Sequence, residues 1–110
     1  MPTARTEAFN PDDVQLAAWA KALGHPARLA ILRTLAERQT CLCGEVVEAL
    51  PLAQATVSQH LKALKEAGLI RGEVDGPRSC YCLDAPALRQ LHEALGALFG
   101  SLDCSCACCN

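Results

Sequence analysis

The sequence predicts a mainly α-helical domain carrying one β-hairpin, in the order ααααββα. Apolar residues recur at helical spacing along most of the chain, then alternate with polar ones in two short runs between residues 70 and 83. Gly24-His25-Pro26, Pro51, Gly68 and Gly76-Pro77 stand at the joints between these runs. The aromatic residues are only Phe9, Trp19, Tyr81 and Phe99, which fits Leu- and Ala-rich helices better than a β-sandwich. The chain has 110 residues, 51% of them apolar, so it can bury one modest core without staples.

The first helix runs from about Asp12 to Leu23. Asp12 and Asp13 cap it and suit the positive end of its dipole. Leu16, Trp19, Ala20 and Leu23 form its apolar face. Gly24-His25-Pro26 ends it, and Pro26 suits the first turn of the next helix, Ala27 to about Glu37. Leu29, Leu32, Leu35 and Ala36 mark the expected buried side of that helix. Gln39 to Cys43 reads as a short connection, and Gly44 to Leu50 as a short helix closed by Pro51. A fourth helix spans about Gln54 to Ala67, with Val57, Leu61 and Leu64 inward and Gly68 as its C′ residue. Ile70–Val74 and Ser79–Leu83 read as strands, joined by the turn Asp75-Gly76-Pro77-Arg78. Pro86 opens a last helix to about Leu102, with a stripe of Leu88, Leu91, Leu95, Leu98 and Phe99. Residues 1–103 thus make one domain, and 104–110 a cysteine-rich tail.

A short helix, a tight turn and a second helix, followed at once by a hairpin, make a winged helix-turn-helix. In that arrangement the second helix offers its N-terminal half to a DNA major groove, and the hairpin reaches along the backbone. With Val57, Leu61 and Leu64 inward, Gln54, Thr56, Ser58, Gln59, His60 and Lys62 lie on or near the outer faces. Gln pairs with adenine edges, and Ser or Thr serves bases or phosphates. Lys62, Lys65 and Arg78 are better placed for phosphate. An ordinary solvated helix face has a similar composition. The net charge of −2 does not mark a nucleic-acid binder, but residues 54–78 carry four Lys/Arg against three Asp/Glu. DNA binding would therefore use two copies of a small basic patch and weaken readily with salt.

The stretch Leu23 to Leu32, LGHPARLAIL, resembles the second-helix signature of the ArsR/SmtB family of metal-sensing repressors. Residues 52–70, LAQATVSQHLKALKEAGLI, are similar to that family's recognition helix and the entry to its wing. Asp75-Gly76-Pro77-Arg78 and Tyr81-Cys82-Leu83-Asp84 resemble the wing and its exit. The resemblance spans roughly residues 14–100 and points toward the arsenite-sensing ArsR branch. It implies a transcriptional repressor, homodimeric through its first and last helices. Such a dimer sits on double-stranded operator DNA until an inducer lowers its affinity. The apolar faces at 12–23 and 86–102 suit that joint.

Eight cysteines in 110 residues are a large excess. The first ten residues carry no hydrophobic leader, and no apolar run approaches the ~18 residues of a membrane span. The expectation is a cytoplasmic protein without membrane association, whose clustered thiols serve metal or redox chemistry. Thiolates select soft ions. With the resemblance, As(III) or Sb(III) is the first expectation for the inducer, and Cd(II), Pb(II) or Zn(II) the alternative.

Cys104, Cys106, Cys108 and Cys109 form the densest cluster, and some members of the family sense arsenite near the end of the last helix. Cys41 and Cys43 resemble the family's C-V-C-type box, at a helix start that favours thiolate. They stand one residue earlier than usual, with Val46 and Val47 where a third cysteine often lies. Cys80 and Cys82 share strand parity with Arg78, opposite Tyr81 and Leu83, and are the last candidates. His92, Glu93 and Asp84 lack the second His of the family's zinc-type site. His25 reads as a helix-connection residue.

A redox- or persulfide-responsive repressor on the same scaffold is the alternative. Structural cysteines and an oxidisable tail are the plainer one. No C-x-x-C stands at a strand-to-helix turn and there is no βαβ pattern, so an enzyme is not expected.

Overall fold

The computed structural model describes residues 6–38, 42–43, 51–73 and 80–103. The expected helix at 44–50, the turn at 75–78, Cys41 and the tail cysteines lie outside these residues, as do the side chains of Cys43 and Gln54. The described chain runs through a 3-10 turn (Thr6–Ala8), α1 (Pro11–Ala22), α2 (Pro26–Arg38), β1 (Leu42–Cys43), α3 (Gln54–Glu66), β2 (Ile70–Glu73), β3 (Cys80–Leu83) and α4 (Ala85–Ser101). This is a winged helix-turn-helix arrangement, with β2 and β3 as the stem of the wing.

The start of α1 differs in detail from expectation. Asn10, not Asp12, caps the helix: its Oδ1 accepts from the Asp12 amide at 2.8 Å. Pro11 fills the first helical position, where its missing N–H costs nothing. Asp12 and Asp13 then serve as first-turn charges. At the next joint, Nδ1 of His25 accepts from the Ala27 amide at 3.0 Å, so His25 caps α2.

Ala27, Ile31 and Leu35 form the buried line of α2. Leu32 packs partly against the core, whereas Leu29 is 42% exposed and Ala36 is exposed. The sequence reading chose the leucines. Leu35 is buried as expected, but Ala27 and Ile31, not Leu29 and Ala36, complete the i, i+4, i+8 row that faces α3 and β3. The remaining core comprises Trp19, Ala22, Val57, Leu61, Leu64, Leu69, Ile70, Tyr81 and Leu91.

The stripe Val57, Leu61 and Leu64 of α3 is buried as its period predicts. The helix ends in a Schellman motif. Gly68 adopts φ 81°, its amide donates to the Lys65 carbonyl at 2.9 Å, and the Leu69 amide donates to the Leu64 carbonyl at 3.0 Å. Buried Leu69 then carries the chain into β2. Trp19 of α1 donates its indole N–H to the Ala67 carbonyl at 3.0 Å, satisfying another acceptor at this helix end.

The sheet has one more strand than expected. β3 pairs antiparallel with β2 (Ile70 opposite Leu83, Gly72 opposite Tyr81) and with β1 (Leu42 opposite Tyr81, Cys43 opposite Cys80). The strand order is β1-β3-β2. Gly72 has φ 123°, and a Cβ there would run into the Cys80 carbonyl and lie 2.9 Å from the Tyr81 Cα. Only glycine lets the two strands of the wing approach this closely. Beyond β3, the Asp84 carboxylate accepts from the Ala87 amide at 3.1 Å and caps α4. Leu91 of α4 is buried, Leu88 and Leu95 pack partly against the core, and Phe99 is 65% exposed.

Candidate nucleic-acid interface and thiol positions

The interface is built on α3 because one face of this helix is committed to the core. Fixing Val57, Leu61 and Leu64 inward leaves Gln59, Lys62 and Lys65 exposed and Thr56 and Ser58 half-buried. These side chains supply amide, hydroxyl and ammonium groups on one helix, which can read base edges and phosphates. Exposed Arg71 on β2 adds a cation on the wing.

His60 is placed differently from the sequence expectation. It is 9% exposed and lies behind α3, not on its outer side. Position 60 sits three residues beyond Val57 and four before Leu64, so its spacing already put it at the margin of the buried stripe. Its Nδ1 accepts from Nε of half-buried Arg28 at 3.1 Å, and its ring lies 4.2 Å from that of His25. Burial, His25 and the Arg28 charge, in that order, hold its pKa below the usual 6.5. Arg28 also donates to the Lys21 and Ala22 carbonyls, at 3.2 and 3.4 Å. One guanidinium thus joins the end of α1, the start of α2 and the middle of α3. Sequence reading passed over Arg28, although it falls within the LGHPARLAIL stretch.

Among the thiols, Cys80 is half-buried and disulfide-bonded, and Cys82 is half-buried opposite Arg71. Tyr81 between them is buried, as strand parity predicts. Cys43 is the Cα partner of Cys80 across the ladder. Among the described residues no group of three or more His, Cys, Asp or Glu side chains is placed to hold a metal ion. His92 and Glu93 are exposed on α4. No helix among the described residues is long and apolar enough to cross a membrane.

A family model described as "Helix-turn-helix domain" matches residues 23–73. The repressor SmtB of Mycobacterium tuberculosis is 48% identical over 63 residues, 57% of this chain and 46% of SmtB. The chain therefore matches about half the length of that relative. The arsenical resistance operon repressor of Staphylococcus xylosus is 31% identical over 90 residues, covering 82% of this chain and 85% of that protein. An ArsR-like transcriptional regulator from Rhodococcus sp. RHA1 shares the fold, with TM-score 0.66 and 23% identity over 83% of this chain and 85% of that one.

Proposed function

Because the chain belongs to the ArsR/SmtB family of helix-turn-helix transcriptional regulators, we propose that it is a dimeric repressor that leaves operator DNA when cysteine thiolates capture a soft metal or metalloid ion. The observation that carries the DNA half is the outer face of α3, held from behind by a buried stripe and the Arg28–His60 bond. Thr56, Ser58, Gln59 and Gln54 read base edges. Lys62, Lys65 and Arg78 hold phosphates. His60 keeps the helix in place. No reaction is assigned to the chain, since its relatives are regulators.

The dimer joint is proposed along α1 and α4, which pack side by side. The exposed Phe99 and Leu102 extend the apolar surface of α4 toward its end. A repressor of this kind works in the cytoplasm.

The inducer half rests on the excess of cysteine and on a relative named for arsenical resistance. Cys104, Cys106, Cys108 and Cys109, with Cys41 and Cys43, are the proposed ligands, and Cys80 and Cys82 stand in reserve. As(III) or Sb(III) is the proposed inducer, ahead of Cd(II), Pb(II) and Zn(II). Loss of DNA affinity requires the ion to bind the DNA-free state more tightly, typically by about 1–3 kcal/mol. The DNA half is tested by selecting duplexes from a random pool with reduced protein. The expected product is a two-half-site sequence bound as a dimer, weakened by Gln59→Ala. Enrichment of no sequence would contradict it.

A further inference from the structure

Cys80 is disulfide-bonded, while Cys82, two residues along the same strand, keeps a reduced thiol. The bridge therefore leaves β3. The ladder puts one cysteine directly across from Cys80, namely Cys43 of β1. Opposed residues of antiparallel strands hold their Cβ atoms about 4.5–5.5 Å apart. A disulfide needs about 3.5–4.5 Å, so a small approach of the strands closes the bond. Within one strand, residues i and i+2 stand about 6–7 Å apart, which suits a bridge poorly.

We propose that Cys43 and Cys80 form a reversible dithiol–disulfide site that controls DNA binding through the stem of the wing. The position is what gives the bond its consequence. The loop from Cys43 to Cys80 encloses α3, β2 and the residues between the wing strands, which is the whole reading unit. β3 leads directly to Asp84, the cap of α4. A bond at Cys80 fixes the wing stem to the strand that precedes the reading unit. The wing and α3 must seat on one duplex together, and the bond removes their freedom to adjust. The oxidised form binds DNA more weakly. This inference rests on the DNA-binding reading above; it does not require metal sensing, although oxidation would take Cys43 out of the proposed ligand set.

A hydroperoxide supplies the oxidising equivalents. One thiolate of the pair attacks a peroxide oxygen, the O–O bond breaks, and that sulfur becomes a sulfenic acid. The departing alkoxide or hydroxide takes up a proton. The second thiolate attacks the sulfenic sulfur and expels hydroxide, which leaves as water. Two thiols and one hydroperoxide thus give one disulfide, one water and one alcohol or second water. Exchange with an external dithiol restores both thiols.

The test uses reduced full-length protein, in the natural sequence and with the four tail cysteines changed to Ser. Each is treated with hydrogen peroxide, alkylated and mapped. Trypsin leaves Cys41 and Cys43 in peptide 39–62, and Cys80 and Cys82 in peptide 79–89. Cys41→Ser and Cys82→Ser therefore assign the sulfurs. The expected bridge persists in those two variants and is lost in Cys43→Ser and in Cys80→Ser. Anisotropy on a duplex selected by the reduced protein should show binding at least about five-fold weaker after oxidation, restored by dithiothreitol. Circular dichroism checks that each variant is folded. A bridge between other cysteines overturns the site. A mapped Cys43–Cys80 bridge with unchanged or tighter DNA binding overturns its control of DNA. If the reduced protein selects no duplex, the DNA-binding reading falls and the control with it, while the mapping still decides the site.

Discussion

Arg28 donates its Nε–H to Nδ1 of His60 at 3.1 Å, joining the start of α2 to the middle of α3. The same guanidinium reaches two carbonyls at the end of α1. The exposed face of α3 is thus aimed by a contact on its hidden side.

Arg28→Ala should lower stability by about 1–3 kcal/mol, because the buried acceptor on His60 and the helix-end carbonyls lose a charged donor. Arg28→Lys should recover little, since an ammonium lacks the planar fork. Urea denaturation measures both. Operator affinity should fall with Arg28→Ala and hold with Arg89→Ala, an exposed residue of α4. An unchanged midpoint for Arg28→Ala would remove this contact from the account.

Stability should depend on pH through His60. Its folded pKa lies below 6.5 because burial, His25 and Arg28 disfavour the charged ring. The unfolded chain then binds the proton more readily, so protonation favours unfolding. The stabilising contribution is whole above about pH 6.5 and is lost as pH falls through that value toward the lowered one. His60→Gln should flatten the slope of stability between about pH 7 and 5. An identical slope in that variant would assign the effect elsewhere.

Gly72→Ala should loosen the wing. The added Cβ meets the Cys80 carbonyl, and φ 123° disfavours any L side chain. The expected cost exceeds about 1 kcal/mol. Hydrogen exchange should rise at β2 and β3 first, with α1 little changed. Unaltered exchange in the wing would show that the strands do not need this glycine.

Lys62→Ala and Lys65→Ala should each weaken operator binding evenly across sequences. Each should reduce the slope of log affinity against log salt by about 1 per subunit. Gln59→Ala should instead relax preference at one position, by about 1–3 kcal/mol. Equal salt slopes in wild type and both Lys variants would mean that neither contacts phosphate.

Much of the fold was legible because its signals are local. Val57, Leu61 and Leu64 declare a helical stripe, Gly68 declares its end, and the alternation around Tyr81 declares a strand. The misses have non-local causes. β1 is two residues long and exists through its pairing with β3, almost forty residues away, so no window of sequence contains its partner. Ile31 displaced Leu29 from the core because several sides of α2 are apolar, and only the neighbouring elements choose among them. His60 carried a polar label into a buried place, where Arg28, on another helix, satisfies it. The pairing of Cys43 with Cys80 across the sheet was invisible for the same reason as β1. The tail cysteines and the wing tip lie outside the described residues, so their roles rest on sequence and family.

The central claim is that thiol capture of a soft ion releases the protein from DNA. Fluorescence anisotropy of fully reduced full-length protein on its selected duplex tests it most directly, with arsenite added first and then antimonite, cadmium, lead and zinc. A truncation ending at Asp103 runs in parallel. The account predicts release by arsenite from the full-length protein. Loss of that response in the truncation places the sensor in the tail, and its persistence places it at Cys41 and Cys43. DNA binding unchanged by every one of these ions, in reduced protein, would contradict the account.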